Sequence, residues 1–245
     1  MDEQTKRKMI RNYFKPFPKW TIWMILIGVI VFLIGTQASA GVAVIGIVTL
    51  GIGVLGIVIY LKGKPTDKQM DNWLNEDLKM VEKVALNRLG TVEEEAIKEP
   101  LVIYKPVLWN IPGIPPDEVM MKKGKDGLAR FSIWEVAIFH LTDKYLGSFH
   151  AYLNFLVGKT VNESTEEFFY KDIVKVGTAQ ESVLLKDGTK ITDAESFVLK
   201  VSSGDSVSVR DITFKLEEKN IKTIPTSPIE KTIQAIRTML REKKT

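Results

Sequence analysis

Cysteine is absent from the 245 residues, which excludes disulfides, thiol nucleophiles and cysteine-based zinc sites. Histidine is nearly absent as well. His140 and His150 are the only two, too few for a histidine-rich metal centre. A third deficit is local: Trp20 to Leu61 contains no Asp, Glu, Lys, Arg or His, while Lys19 and Lys62 close the run at its ends. The rest of the chain is mixed, charged sequence.

What is present is equally uneven. The net charge is +4, and in the first 19 residues Lys6, Arg7, Lys8, Arg11, Lys15 and Lys19 stand against Asp2 and Glu3, so the remainder is balanced. A nucleic-acid binder carries its basic surface on the folded domain. Here the excess lies beside an apolar segment, so these six residues are expected to contact anionic lipid headgroups, and no nucleic-acid partner is expected.

As a single helix, the uncharged run would extend about 63 Å at 1.5 Å per residue. The hydrocarbon core is about 30 Å thick, so two helices suit it and one does not. The small, polar stretch "GTQASAG", Gly35–Gly41, is the available turn, which places helices near 20–38 and 41–61. Basic residues precede the first helix, and Lys62, Lys64 and Lys68 follow the second; the turn has none. The positive-inside rule then puts both termini in the cytoplasm of a multi-pass plasma-membrane protein. Tyr13, Phe14, Phe17, Trp20, Trp23 and Tyr60 are expected as the aromatic belt at that interface. Ala38-Ser39-Ala40 also fits a signal-peptide cleavage site, but the apolar run continues straight past it, which favours an uncleaved hairpin.

Within the second helix, Gly51-x-Gly53-x-x-Gly56 spells a dinucleotide-binding pattern. It lacks the preceding strand and the phosphate-accessible loop which that chemistry needs. Helix packing is the better account: Gly28 and Gly35 are seven apart, as are Gly46 and Gly53, and small residues let backbones approach closely in lipid.

After the hairpin, the capping-box pattern "TDKQ" at Thr66–Gln69 opens an amphipathic connecting helix within 62–99. Its apolar stripe is Met70, Trp73, Leu74, Leu78, Val81, Ala85 and Leu89, and Gly90 is its stop signal. Prolines 100, 106, 112, 115 and 116 make 100–127 an extended linker, in which "LVIYKPVLW" is a strand or a clamp along the next domain. From Leu128 the period changes to two, with strands in "FSIWEVAIFHLT", "KYLGSFHAYLNFLVG", "STEEFFYKDIVKVGT", "ESVLL", "ESFVLKVSS" and "SVSVRDITFKL". Asp187-Gly188 and Ser203-Gly204-Asp205 mark hairpin turns. A final helix begins at Ser227-Pro228 and carries Ile229, Ile233, Ile236 and Leu240 on one face, with Lys231 and Arg237 on the other.

Six or seven antiparallel strands and one C-terminal helix, with "LTDKYL" (Leu141–Leu146) and "EEFFYKDIVKV" (Glu166–Val176), resemble the L-T-x-x-x-L … Y-x-D-I-x-x-V rhythm of bacterial pleckstrin-homology-like domains. The resemblance covers roughly 128–242. It implies a PH-like barrel or sandwich over 128–245, capped by the C-terminal helix; with the transmembrane hairpin over 20–61 and the connecting helix, the chain reads as an α+β membrane protein. Such domains serve as lipid, peptide or self-association modules and often follow membrane helices.

No catalytic set emerges. His140 and His150 read as strand residues with satisfied nitrogens, and Glu163, Glu166 and Glu167 as a solvated strand end. "KKGKDG" offers Lys122, Lys123 and Lys125 either as an anionic-ligand loop or as a plain solvated one. No metal or cofactor is expected. The sequence thus points to a non-enzymatic adaptor or accessory subunit, forming homo-oligomers or joining other membrane-complex proteins. The alternative is an oligomeric effector or pore whose β domain senses a ligand or protein.

Overall fold

Capping chemistry opens the chain. Asp2 accepts a hydrogen bond from the Thr5 amide at 2.6 Å and starts α1 (Glu3–Phe14), with Glu3 in the first turn and Arg11 in the last. The computed structural model describes residues 1–89, 99–218, 220–225 and 229–243, in two units, Met1–Thr66 and Asp67–Thr245. Gly90 and the Ser227-Pro228 cap lie outside the described residues. Helix α1 is absent from the sequence reading, because only Ile10, Tyr13 and Phe14 form its apolar stripe among charged neighbours. All three are buried.

Helices α2 (Trp20–Ala38) and α3 (Ala40–Leu61) follow, each long and apolar enough to cross a membrane. The short turn expected within Gly35–Gly41, between helices ending near 38 and starting near 41, is the single residue Ser39. Ser39 is extended; its amide donates to the Gly35 carbonyl at 3.0 Å and its hydroxyl accepts from the Val42 amide at 3.5 Å, so one residue caps both helices.

The two helices then run back antiparallel in layers. A Cβ added to Gly28 would lie 2.8 Å from the Leu50 Cα, and one added to Gly53 would lie 2.9 Å from the Thr21 carbonyl and crowd Ile25. One on Gly46 would collide with the Phe32 backbone, and one on Gly35 with Ala43. Over four layers a glycine therefore faces a larger residue and alternates between helices, Ile25–Gly53, Gly28–Leu50, Phe32–Gly46 and Gly35–Ala43, beyond which Gly56 of α3 meets Thr21. The seam positions recur at spacings of three and four, the pattern of a left-handed helix pair. Gly41 and Gly51 face open space.

The second unit begins with α4 (Asp67–Leu89), and every residue of the expected apolar stripe is buried on it. It packs on the four-stranded sheet through β5 and β6, with Leu89 lying over Gly147. That sheet has the antiparallel order β1-β4-β5-β6: β1 (Leu101–Pro106), β4 (Ile133–Leu141), β5 (Tyr145–Asn154) and β6 (Lys159–Phe169). Between β1 and β4 a small hairpin pairs β2 (Met121–Lys123) with β3 (Ala129–Phe131). A three-stranded sheet follows, β7 (Ile173–Leu184), β8 (Lys190–Val201) and β9 (Ser206–Asp211). The chain ends in α5 (Thr213–Glu218) and α6 (Ile229–Lys243).

Two expectations are corrected. The stretch 100–127 is not a linker ahead of the sheet, which starts at Leu101. Pro106 is tolerated because it ends an edge strand, where its missing N–H breaks no ladder. Beyond it the chain becomes a strap, since the Lys186 amide donates to the Leu108 carbonyl at 2.8 Å and the Lys186 ammonium to Pro116 O at 3.0 Å. "ITFKL", read as strand, instead enters α5, whose first turn is held by Asp211 accepting from the Thr213 amide at 2.8 Å. On α6, Arg237 holds its expected place on the exposed face, where its guanidinium donates to the Val176 carbonyl at 3.0 Å.

The core lies between the two sheets and α6: Ile103, Phe139, Leu146, Phe197, Val209 and Ile236 meet there. The motif residues have structural work. Thr142 folds the β4–β5 turn by donating to the Tyr145 carbonyl at 2.7 Å, and the buried Tyr170 hydroxyl donates to the Thr142 carbonyl at 2.7 Å. Leu141, Leu146 and Ile173 are core residues.

Candidate functional site

Alternation along β4 sends Ala137, Phe139 and Leu141 into the core, and it carries Glu135 to the same side at the other end of the strand. There the interior turns polar. Register places Lys105 of β1 and Tyr152 of β5 opposite Glu135, and His150 two positions from Tyr152 on the same face. The Glu135 carboxylate, 1 % exposed, contacts His150 Nε2 at 3.0 Å and accepts from the Tyr152 hydroxyl at 3.4 Å and the Arg210 backbone N–H at 3.2 Å. Lys105, also buried, pairs with Asp211 at 2.8 Å.

A buried carboxylate is costly unless its lone pairs are met, and here they are met from β5 and β9 together. The cluster thus clips both sheets at one end. Burial, reinforced by the Glu135 charge, pushes the Tyr152 hydroxyl up to about 12, so it stays a donor.

Outside this cluster lies a groove of about 430 Å³. The strap supplies Trp109 and Pro112, β5 supplies Tyr152, β7 supplies Leu184, and β9 supplies Arg210. The Arg210 guanidinium lies 5.8 Å from the Trp109 ring centroid and pairs with Glu181 at 3.3 Å. Both partners of that pair are more than a third exposed, so the pair positions the guanidinium without contributing much stability. None of this constellation is in the sequence reading.

The sequence-predicted residues fall as follows. Lys8, Arg11, Lys15 and Lys19 are exposed, whereas Lys6 and Arg7 are largely buried and Arg7 pairs with Glu3. Tyr13 and Phe14 leave the aromatic belt for buried positions, while Phe17, Trp20 and Trp23 are exposed and Phe17 packs edge-on against Tyr60, 5.1 Å between centroids. Gly28, Gly35, Gly46 and Gly53 line the helix seam described above.

Lys122 and Lys123 sit on β2 and Lys125 in the following turn, which is organised by acid. Lys125 donates its amide to Asp67 at 2.7 Å, and the buried Arg130 reaches Asp71 at 2.7 and 2.8 Å and Asp126 at 2.7 and 3.0 Å. The guanidinium holds the Asp126 carboxyl down at about 2. Three carboxylates, of Asp67, Asp71 and Asp126, thus surround the one guanidinium.

His140 corrects the reading of satisfied nitrogens. It is fully buried, neither ring nitrogen has a partner among the described residues, and burial lowers its pKa. Glu163 and Glu167 are exposed, Glu163 pairing with Arg88 at 3.1 Å. Glu166 is half-buried in a separate cleft of about 630 Å³ with Asp172 and Asp205, and burial, then the Asp205 charge, raises its pKa.

Comparison of the chain with family models, curated proteins and solved structures finds no match.

Proposed function

We propose that this protein is a membrane-anchored, non-enzymatic adaptor. In this reading the α2–α3 hairpin is inserted in the plasma membrane with both termini cytoplasmic, and the Asp67–Thr245 unit is a PH-like docking module that joins protein partners to a membrane complex. The PH-like assignment is supported by four antiparallel strands, then three, then a C-terminal helix in the core. The inserted hairpin is supported by its length, its apolarity and the basic residues at both ends.

One observation carries the docking role: the groove that brings Trp109, Tyr152 and Arg210 together over a hydrogen-bonded floor. These are the three residue types that dominate binding energy at protein interfaces. The test is cross-linking of the full-length protein in native membranes, with Arg210→Glu beside the wild type. A stoichiometric protein partner lost in the variant is the expected result. A ligand-dependent current from the reconstituted wild type, with no stoichiometric partner, would overturn it in favour of the effector. Ser39→Cys should be labelled by an impermeant thiol reagent on intact cells and Ser203→Cys protected; the reverse pattern overturns the topology.

A further inference from the structure

The base of the hairpin, where the chain enters α2 and leaves α3, carries a second feature. Gly56 leaves α3 without a side chain there, and the Trp20 indole closes over it: a Cβ at Gly56 would lie 3.0 Å from the ring. Ile52, Leu55, Ile59 and Tyr60 complete an almost wholly apolar groove of about 330 Å³. This is the lower end of the range for small-molecule sites, about 300–1,000 Å³.

The mouth of the groove is built differently. The Tyr60 ring has the Lys64 ammonium 3.5 Å from its centroid, and its hydroxyl donates to the Lys15 carbonyl at 3.3 Å. Lys64 also donates to that carbonyl, at 3.4 Å. Lys19 directly precedes the Trp20 wall and Lys62 follows Tyr60 by two residues; both are exposed. Between Glu3 and Asp67 the chain has eight Lys and Arg residues and no Asp or Glu. An apolar slot opening beside the exposed Lys19 and Lys62 matches one amphiphile: an acyl chain ending in a phosphate. A second copy of the hairpin would bring the same positive charge to the same end and be repelled.

We infer that this groove is a binding site for a single anionic phospholipid, one acyl chain lying along Trp20 and Gly56 and the phosphate held by Lys19 and Lys62. The inference rests on the membrane-anchor reading and deepens it from general headgroup attraction to one defined site.

The test uses full-length protein in phosphatidylcholine vesicles containing a minority of brominated phosphatidylglycerol, compared with the same fraction of brominated phosphatidylcholine. Tryptophan quenching is the readout, and Trp20→Phe isolates the Trp20 signal. The brominated anionic lipid should occupy the site about thirtyfold more readily, because each of the two lysines adds about 1 kcal/mol of attraction for anionic lipid near a membrane surface. Lys19→Ala/Lys62→Ala, at exposed positions outside the seam, should abolish the preference. Gly51→Leu, facing open space, should leave it intact.

Equal quenching by the two lipids overturns the inference, as does a preference that survives the double lysine variant. Relief of the preference by soluble glycerol phosphate would show a phosphate site and not a lipid site, which also overturns it. Flotation separates this from failure of the anchor: protein that does not float with vesicles refutes insertion, whereas protein that floats without lipid preference refutes only the groove.

Discussion

The two units of this chain solve the packing problem by opposite means. In the hairpin, cohesion comes from what side chains leave out. Glycine at every seam layer lets backbone meet backbone, and between Trp20 and Leu61 no side chain carries charge near neutral pH. In the Asp67–Thr245 unit, cohesion comes from what side chains put in: large rings and branched chains fill the space between the sheets, and buried ions clip its end. The difference follows from the solvent each is suited to. In water, burying apolar area stabilises by roughly 25 cal/mol per Å². Between helices in lipid that drive is missing, and close contact is what remains.

The contrast can be broken most severely in the core. Ile236 is fully buried, so Ile236→Ala should cost about 2–5 kcal/mol in a thermal or denaturant melt of the full-length protein. Retention of wild-type stability would mean that α6 is not part of the core. Next is Arg130, 3 % exposed between Asp71 and Asp126. Arg130→Met should destabilise by about 3 kcal/mol, the low end for removing one partner of a buried ion pair, because both carboxylates keep some solvent. An unchanged melt would show the ion cluster to be incidental.

In the hairpin the expected effects are smaller and depend on position. Gly46→Leu should cost about 1–3 kcal/mol of helix pairing through overpacking, read as a fall in energy transfer between labels on α2 and α3. Gly51→Leu should have little effect; equal responses at the two positions would remove the seam.

The subtlest difference is pH. The neutral, buried His140 has a folded pKa below its unfolded value, so unfolding takes up a proton in acid. Its contribution is intact above the unfolded pKa of about 6.5 and is lost as pH falls toward the folded value. Asp126 behaves similarly in a lower window, its share being lost as pH falls through about 2. The second unit should therefore lose stability as pH falls below about 6.5 while hairpin pairing does not change. His140→Leu should flatten that slope, and a slope that persists would assign it to other groups.

The hairpin was legible from sequence because length, charge and hydropathy all act locally; the expected helices near 20–38 and 41–61 become Trp20–Ala38 and Ala40–Leu61. The α4 stripe and most strands were legible for the same reason, since a period of 3.6 or 2 needs no knowledge of partners. The Glu135 cluster was not. Glu135 and His150 lie fifteen residues apart, and Arg210 sixty beyond, so only the β4–β5 register and the closure of β9 on β4 bring them together. Strand β1 was legible only as one of two readings, because its prolines left "LVIYKPVLW" as strand or clamp, and α1 was obscured because its charged residues read as a membrane flank.

The alternating glycines amount to a parity code. Sliding α3 by one layer would set Gly28 against Gly46, leaving a hole, and Ile25 against Leu50, forcing the backbones apart. A one-layer slip is thus penalised twice, and with Ser39 alone between the helices the two-layer slip that would restore the match is out of reach. The code is indifferent to which helix carries the tooth and which the notch. Exchanging sizes within one layer, Gly28→Leu together with Leu50→Gly, should restore the pairing that Gly28→Leu alone destroys.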